Sequence, residues 1–384
     1  MTTSPVHLYH HSTMLKTNVD MPIHPFAKPI LASSPTESTV STQALSHHRL
    51  HPEFLAKYTL GQELGSGGFG FVVSAYEHAT GIERAVKFIF RNKVPSSAWA
   101  EDRDMGLIPM EIYILKHVRH DNVIGFVDAY QDERFFYLVM ELHGTQWTSA
   151  TPPLSSSSSS SSSSVPSSIP SPIMHSPTLS HTSDDSQSTF SSSTLDEEPQ
   201  PRTFVRRTSC DLFECIEQHQ RFDESLAKHI FRQIARCVAH LDKLGICHRD
   251  IKDENIVIDS DYKVKLIDFG SSVLLPRHYG EHNKTYLFSK FYGTISFASP
   301  EILRCEPYRA EPAEVWSLGV LLYTILFGEV PFHNQEMALA GRFVQPKIEV
   351  SSKCMHLLSC LLEKSPSRRP TIHQILTHSW LRED

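Results

Sequence analysis

The sequence lacks the concentrated positive charge that nucleic acids and anionic membranes attract. Its 384 residues carry 36 Lys and Arg against 43 Asp and Glu, which gives a formal net charge of -7. A nucleic-acid groove or a polybasic membrane anchor needs clustered lysines and arginines. We therefore expect neither nucleic acid nor a membrane among the partners.

Paired cysteines, a signal peptide and a long apolar run are absent too. The seven cysteines include no C-x-x-C pair, and a chain of this length does not depend on disulfides for its core. The opening residues lack the charged start and apolar core of a signal peptide. The longest apolar stretch, residues 315–327, is too short to cross a bilayer and is typical of a buried core helix. We predict a soluble, reduced, monomeric protein of the cytoplasm, with the nucleus as a second candidate compartment.

Two polar tracts show no apolar periodicity. Residues 1–57 are rich in Ser, Thr, Pro and His, and residues 145–209 contain ten consecutive serines. Such segments cannot bury enough surface to offset the entropy of ordering. We predict a disordered tail and a disordered insertion. An inert low-complexity expansion is the simplest interpretation of the insertion.

The remaining chain is strand-rich first and helix-rich later. Short β-rich runs and Gly turns begin at Tyr58, and a helix is predicted over 108–118, followed by two more strands. Beyond Asp211, apolar residues recur at helical spacing from Leu226 to Leu241. The pattern predicts an α+β fold in which a helix-rich second half follows a strand-rich first half.

The first chemical motif is a glycine-rich turn. Gly65, Gly67, Gly70 and Val72 fit G-x-G-x-x-G-x-V. A Rossmann dinucleotide loop is the rival interpretation, but such a loop opens a helix, and FVVSAYE continues here as a strand. The segment is therefore expected to be a hairpin whose backbone amides close over phosphates.

A lysine on the following strand has a candidate partner. Lys87 alone could be an exposed edge charge. Glu111, on the predicted helix, can pair with it and orient its ammonium group onto the α and β phosphates of ATP.

The segment GICHRDIKDENIVID carries the most specific motif. His248, Arg249, Asp250 and Asn255 fit H-R-D-x-x-x-x-N. Asp250 fits the carboxylate that takes up or orients a hydroxyl proton. Lys252 can neutralise a transferring phosphoryl group, and Asn255 can hold a metal ion.

Two further motifs follow in order. Asp268, in KVKLIDFG, ends a predicted strand and is expected to be the main Mg²⁺ ligand, because this ion prefers oxygen ligands. ASPE, residues 298–301, closes an activation segment. The joint order and spacing of all these motifs make coincidence a poor explanation.

Together the motifs resemble those of the eukaryotic protein kinases, over residues 58–142 and 211–381. HRDIKDEN resembles the serine/threonine branch. DRDMGLIPMEIYIL, FFYLVMELHG and DLFECIEQHQRFDESLAKHIFRQI are similar to PAS kinases, with Pim kinases the nearest rivals. The resemblance implies a bilobal kinase fold with a small β-rich lobe (58–142) and a larger helical lobe (210–382). It also implies ATP and Mg²⁺ as cofactors and protein Ser/Thr hydroxyls as acceptors. Because no PAS domain is recognisable before residue 58, we expect a kinase domain without this regulatory domain.

The resemblance also implies a set of site residues. The implied catalytic residues are Asp250, Lys252, Asn255, Lys87 and Glu111, and the implied metal ligands are Asn255 and Asp268. The implied nucleotide contacts are Leu64, Gly65, Ser66, Gly67, Gly68, Phe69, Gly70, Val72, Ala85, Lys87, Met140, Glu141, His143, Asp211, Val257 and Asp268. Among these, Met140 is the gatekeeper, residues 141–143 form the hinge, and Asp211 is a candidate ribose ligand.

Acidic residues cluster where the relatives bind substrate peptides, namely Asp211, Glu214, Asp253 and Glu254. A solvated charged face is the alternative. In the sharper hypothesis Glu214 and Glu254 pair with substrate arginines, which gives a basophilic kinase that prefers Arg three residues before the target Ser or Thr.

Two supporting carboxylates stand out. Glu314 replaces the Asp that usually supports the catalytic loop, and Glu301 is expected to pair with Arg369. A catalytically dead scaffold is the rival class, but such chains typically lose the residues equivalent to Lys87, Asp250 or Asp268.

Several hydroxyls are candidate phosphorylation sites. The activation segment offers Thr285, Tyr286, Ser289 and Tyr292, whereas Thr294 is expected to position the substrate. Phosphorylation at this switch is left open. In the insertion, Ser209 follows two arginines in VRRTS, and we expect its modification by a second molecule.

Overall fold

A computed structural model of the chain describes residues 38–147, 202–275 and 286–382. The predictions for residues 1–37 and for residues 148–201, which include the serine run, lie outside the described residues, as does Thr285.

The N-terminal lobe is built around an antiparallel sheet. Its strands are β1 (Tyr58–Ser66), β2 (Gly70–Glu77), β3 (Glu83–Phe90), β4 (Trp99–Asp102), β5 (Gly106–Pro109), β6 (Phe126–Gln131) and β7 (Phe135–Glu141). The sheet order is β1-β2-β3-β7-β6, and β4 pairs with β5 in a separate hairpin. Two short helices precede β1, α1 (Val40–Leu45) and α2 (Pro52–Lys57), and α3 (Met110–His117) follows β5. Helix α3 is shorter than predicted because Ile108 and Pro109 pair in β5.

The prediction of a disordered tail is wrong for residues 38–57. Leu45 and Phe54 are fully buried in a cluster with Phe88 and Tyr137 from the outer face of the sheet. The Phe54 ring stacks on that of Tyr58, with centroids 5.2 Å apart. A few apolar side chains suffice to order this segment because the sheet supplies the other half of the cluster.

The predicted limits of the insertion are also wrong at its carboxyl end. Residues 202–209, named here the return arm, lie along the edge of β1. The N–H of Glu63 donates to the carbonyl of Val205 (2.9 Å), and the N–H of Arg207 donates to that of Glu63 (2.8 Å). Phe204 is buried in the same cluster as Phe54. The arm was missed because its order comes from this pairing with a distant strand.

The C-terminal lobe is mainly helical. Its helices are α4 (Leu212–His219), α5 (Glu224–Lys243), α6 (Pro300–Leu303), α7 (Ala310–Phe327), α8 (Gln335–Ala340), α9 (Ser352–Leu361), α10 (Ile372–Leu376) and α11 (Ser379–Arg382). Its short strands β8 (Ile246–Cys247), β9 (Ile256–Ile258), β10 (Val264–Leu266) and β11 (Val273–Leu274) pair as β9 with β10 and β8 with β11. The predicted bilobal α+β fold is confirmed.

Two central helices explain the apolar patterns of the sequence. The predicted stripe on α5 is buried, as Ile230, Ile234 and Leu241 show. Helix α7 has the length and mean hydropathy of a membrane span, but 83% of that stretch is buried inside the lobe. Its apolar surface is therefore covered by the protein, as predicted for a core helix.

Candidate active site

The glycine-rich turn joins β1 to β2 as a hairpin, with Gly65 opposite Val72. A Cβ added at Gly65, Gly67 or Gly68 would meet no protein atom within 4 Å. At Gly70, by contrast, it would lie 2.0 Å from the carbonyl oxygen of Phe88. Packing therefore requires only the last glycine. The other three leave open space over the turn, as backbone contact with a phosphate chain requires.

The predicted Lys87–Glu111 pair is confirmed. Lys87 Nζ donates to Glu111 Oε1 (2.6 Å) and to Asp268 Oδ1 (2.9 Å). Strand β3, helix α3 and the loop after β10 thus meet at one ammonium group. Burial opposes its charge, but the two carboxylates outweigh burial and raise the pKa of Lys87. The amine is held as a buried cation between the lobes.

Asp268 is held in an unusual backbone conformation, with φ 61° and ψ 77°. Its Oδ1 also accepts the N–H of Gly270 (3.2 Å). Its place in the cleft tends to raise its pKa, but Lys87 outweighs this effect and lowers the pKa to about 2. The side chain still exposes 47% of its surface. An ionised carboxylate therefore faces the open cleft at neutral pH.

Apolar residues from both lobes line the cleft behind this charge. Ala85 pairs with Met140 across β3 and β7, and both are buried. Leu64, Val72 and Val257 pack against the same core cluster while staying partly exposed. These five predicted nucleotide contacts thus belong to or pack against one core cluster, and they are called the apolar surface here. Apolar side chains of this kind suit a flat aromatic base.

The hinge side chains are held away from this surface. Glu141 Oε1 accepts from the N–H of Gly125 (2.6 Å) and pairs with Lys265 Nζ (2.7 Å). His143 Nε2 lies 2.9 Å from the carbonyl of Lys263. The side chains therefore anchor the hinge, and a bound base would be read by backbone groups.

The catalytic-loop residues converge on Asp250. Asn255 Nδ2 donates to its Oδ2 (2.8 Å) and to its backbone carbonyl (2.8 Å). Thr294 donates to Oδ1 from its backbone N–H (2.9 Å) and its hydroxyl (3.1 Å). Lys252 Nζ donates to the same hydroxyl (2.9 Å). The carboxylate is thereby fixed from both sides, and Thr294 ties the activation segment to it.

Lys252 carries its charge beside this carboxylate. Its Nζ lies 3.8 Å from Asp250 Oδ2 and 3.0 Å from Glu254 Oε2. Burial opposes the charge, but these carboxylates raise the pKa of Lys252. The ammonium group is therefore held as a cation beside the Asp250 carboxylate.

His248 and Glu314 hold the backbone of the catalytic loop. His248 is fully buried, and burial lowers its pKa. Its Nε2 faces the carbonyl of Ile267 (3.0 Å), while Nδ1 accepts the N–H of Asp250 (3.3 Å), so the neutral ring carries its proton on Nε2. Glu314 Oε2 accepts the N–H of Arg249 (2.8 Å), as expected of its supporting position. Burial raises the pKa of Glu314 to about 7.

The activation segment is anchored at both ends of its described part. Arg249, with φ 67°, donates to the carbonyl of Lys290 (2.8 Å) and the hydroxyl of Tyr308 (2.9 Å), and lies over the Phe288 ring. The predicted Arg369–Glu301 pair is confirmed as a buried bidentate ion pair, with contacts of 2.7 and 2.8 Å.

The acidic residues of the expected peptide groove divide into two groups. Glu254 is exposed and Glu214 is half-buried, and helix α4 contacts the turn that carries Glu254. Asp253 is only 6% exposed, and burial raises its pKa to about 6. Asp253 belongs to the predicted acidic cluster, but its side chain turns inward, which leaves Glu214 and Glu254, the two residues expected to pair with substrate arginines.

Asp211 lies where the two lobes meet. It pairs with Val257 through an isolated β-bridge, which places it at the edge of the apolar surface. Its Oδ1 accepts the N–H of Glu214 (2.8 Å) and caps α4, while its Oδ2 accepts the hydroxyl of Ser209 (2.6 Å). No sequence motif indicates this last contact, which depends on where the return arm ends.

The donor set fits Mg²⁺ held jointly with a nucleotide. The N–H of Ile267 donates to the carbonyl of Asn255 (2.9 Å), which brings Asp268 and Asn255 to neighbouring positions. Residues 38–147, 202–275 and 286–382 contain no group of three His, Cys, Asp or Glu side chains arranged as a metal site. Mg²⁺ commonly takes one or two protein oxygens and completes its shell with phosphates and water, so these two residues suit that ion.

Comparison with known proteins gives a consistent family. The protein kinase domain model matches residues 58–161 and 202–381. The chain is 35% identical to the PAS domain-containing serine/threonine-protein kinase of Mus musculus over 93% of this chain and 20% of that protein. It is 30% identical to serine/threonine-protein kinase PSK1 of Saccharomyces cerevisiae, over 83% of this chain and 19% of that protein. It is 28% identical to serine/threonine-protein kinase pim-2 of Danio rerio, over 86% of each. The chain thus spans about a fifth of the length of the first two of these relatives.

Proposed function

Because the chain belongs to the protein kinase family, in its serine/threonine branch related to PAS and Pim kinases, we propose that it transfers the γ-phosphoryl group of ATP to protein Ser and Thr hydroxyls. The family uses ATP with Mg²⁺. The observation that carries the proposal is the convergence of Asn255, Thr294 and Lys252 on the Asp250 carboxylate.

Each member of this group has a chemical task in the proposed reaction. Asp250 accepts and orients the proton of the acceptor hydroxyl, and the contacts from Asn255 and Thr294 hold the carboxylate for that contact. Lys252 stabilises negative charge on the moving phosphoryl group. Lys87, steered by Glu111, holds the phosphates that stay behind.

The nucleotide would be held by both lobes. The open glycine turn receives the phosphates, the surface around Ala85, Met140 and Val257 receives the base, and Asp268 with Asn255 holds Mg²⁺. The metal would neutralise phosphate charge and align the γ-phosphoryl group with the acceptor. The pairing of Lys87, Asp250 and Asp268 with their partners argues against an inactive scaffold.

We further propose that the enzyme is basophilic. Glu214 and Glu254 lie on neighbouring elements beside the catalytic loop. A hydrogen bond to a charged group contributes about 1.5–3 kcal/mol, so an arginine three residues before the acceptor should raise kcat/KM about ten- to a hundredfold. A role in metabolic or nutrient signalling within the cytoplasm and nucleus is proposed on the likeness to PAS kinases alone.

Peptide kinetics test this proposal. We expect purified chain with Mg-ATP to phosphorylate a Ser peptide with Arg at the third preceding position, and to lose about tenfold in kcat/KM when that Arg is Ala. Glu214→Gln should shrink this difference, whereas Glu336→Gln, an exposed change on α8, should leave it intact. Equal rates on both peptides would refute basophilic selection, and no labelling of any peptide would refute the kinase activity.

A further inference from the structure

The return arm links the serine-rich insertion to the nucleotide site. Its backbone pairs with Glu63, which directly precedes Leu64 and the glycine-rich turn. Glu63 is 2% exposed, and its Oε2 accepts the N–H of Ser41 (2.9 Å) and the hydroxyl of the same residue (2.5 Å). Arg207 makes a twofold contact with Glu83 on β3, at 3.1 Å to each oxygen. The arm is therefore docked onto the strands that carry the nucleotide turn.

The arm ends at the carboxylate that caps α4. The Ser209 hydroxyl donates to Asp211 Oδ2 at 2.6 Å, and Oδ1 of the same side chain accepts the N–H of Glu214. Asp211 in turn bridges Val257 at the edge of the apolar surface. A change at Ser209 would thus act on the nucleotide edge and on the start of α4 together.

The residues before Ser209 match the selectivity proposed for this enzyme. Arg206 and Arg207 stand three and two residues ahead of its hydroxyl, and Ser209 is half-buried. We propose that Ser209 is phosphorylated by a second copy of this chain and that the phosphate weakens ATP binding. The inference rests on the proposed basophilic kinase activity.

The phosphorylation step balances. Ser209 Oγ of the acceptor chain attacks the γ-phosphorus of ATP held by the other copy. The new Oγ–P bond forms as the bond from that phosphorus to the β,γ-bridging oxygen breaks. The hydroxyl proton passes to Asp250 of the copy that holds ATP, and ADP leaves. The donor is a separate copy in this proposal because buried Phe204 and Leu212 hold both ends of the segment that carries Ser209, which limits its movement toward Asp250 of its own chain.

Access to Ser209 requires only a local opening. A segment from Arg206 to Cys210 must lift. This movement breaks two backbone hydrogen bonds, from Arg207 N–H to the Glu63 carbonyl and from Ile258 N–H to the Cys210 carbonyl, and the ion pair of Arg207 with Glu83. Phe204 stays buried and holds the rest of the arm in place. Local openings of this size are within the normal fluctuations of a folded protein.

The consequence follows from charge. The Ser209 hydroxyl donates to the carboxylate of Asp211 at 2.6 Å. Phosphorylation converts this donor into a group that carries about -1.5 to -2 charges at pH 7. Like charges repel at this distance, so the phosphate displaces the arm or Asp211, and it adds negative potential where anionic ATP must bind. We expect the affinity for Mg-ATP to fall about tenfold.

One experiment tests both site and effect. An Asp250→Asn acceptor chain is incubated with a small amount of wild-type chain, Mg-ATP and the Arg-containing peptide. Mass spectrometry then measures phosphate at Ser209, and calorimetry measures Mg-ATP affinity before and after. We expect stoichiometric phosphate at Ser209 and about tenfold weaker binding.

Matched variants separate the outcomes. The Asp250→Asn acceptor that also carries Ser209→Ala should remain unmodified at position 209, and its Mg-ATP affinity should be the same before and after incubation. The acceptor with Thr208→Ala, at the neighbouring exposed hydroxyl, should behave like the parent acceptor. A phosphorylated peptide with bare Ser209 would overturn the site while leaving the kinase activity intact. Phosphate at Ser209 with unchanged affinity would overturn the regulatory effect. An unmodified peptide would overturn the kinase activity and the inference with it.

Discussion

At the scale of single residues, the site depends on charged groups that are buried but compensated. Lys87 is held between two carboxylates, and Asp250 is fixed by an amide, a hydroxyl and a backbone N–H. Glu314 differs, because its Oε2 accepts the backbone N–H of Arg249 and burial raises its pKa to about 7. The carboxylate that supports the catalytic loop therefore changes protonation near neutral pH.

This shift predicts a pH dependence of stability. The folded pKa of Glu314 exceeds its ordinary value of 4.5, so its contribution is fully present below pH 4.5 and is lost as the pH rises through 7. The full effect is about 3 kcal/mol, at 1.36 kcal/mol for each pKa unit. Glu314→Gln keeps an oxygen acceptor but does not titrate. We expect urea unfolding at pH 5 to 8 to show a shallower loss of stability in this variant, and equal slopes for both proteins would contradict the assignment.

The sequence predicts the residues of the site better than their surroundings. Lys87, Asp250, Asn255 and Asp268 could be predicted because each motif carries a chemical requirement at fixed spacing. The inward turn of Asp253 could not, because it depends on tertiary burial that no local pattern encodes.

At the scale of elements, the two helices before β1 pack their apolar side chains against the outer face of the sheet. Helix α2 inserts Phe54 among Tyr58, Phe88 and Tyr137, with ring centroids 5.2 to 6.2 Å apart. Composition predicts disorder here because the segment is judged by its own residues. Its order comes from aromatic side chains on strands much later in the chain. The strands and the long helices α5 and α7 were predictable because their periodicity is local.

A substitution in α2 tests this packing. Phe54 is fully buried, so Phe54→Ala should cost about 3 kcal/mol or more. We expect amide hydrogen exchange in β2 and β3 to become about a hundredfold faster. Leu55→Ala, at the adjacent position that is 44% exposed, serves as the control and should change exchange little. Equal exchange rates in Phe54→Ala and the parent protein would show that α2 does not support the sheet.

At the scale of the whole molecule, two lobes are joined by charge across a cleft. Lys87 belongs to the small lobe and Asp268 to the large one, and their 2.9 Å contact links the two lobes across the cleft. Gly144 and Cys210, which flank residues 145–209, lie next to each other beside this cleft. A Cβ added at Gly144 would lie 2.6 Å from Cβ of Cys210, so the chain re-enters next to its exit. Lengthening such a loop costs little closure entropy, which lets one domain carry it.

The central claim is that phosphoryl transfer depends on Asp250 as the base for the acceptor hydroxyl, while other residues bind the nucleotide. The most direct test compares wild-type chain with Asp250→Asn for transfer from Mg-ATP to the Arg-containing peptide and for Mg-ATP affinity. A positioned general base contributes about a hundred- to ten-thousandfold, so we predict that kcat falls within this range while the dissociation constant of Mg-ATP changes less than about twofold. Transfer by the variant at the wild-type rate would contradict the account.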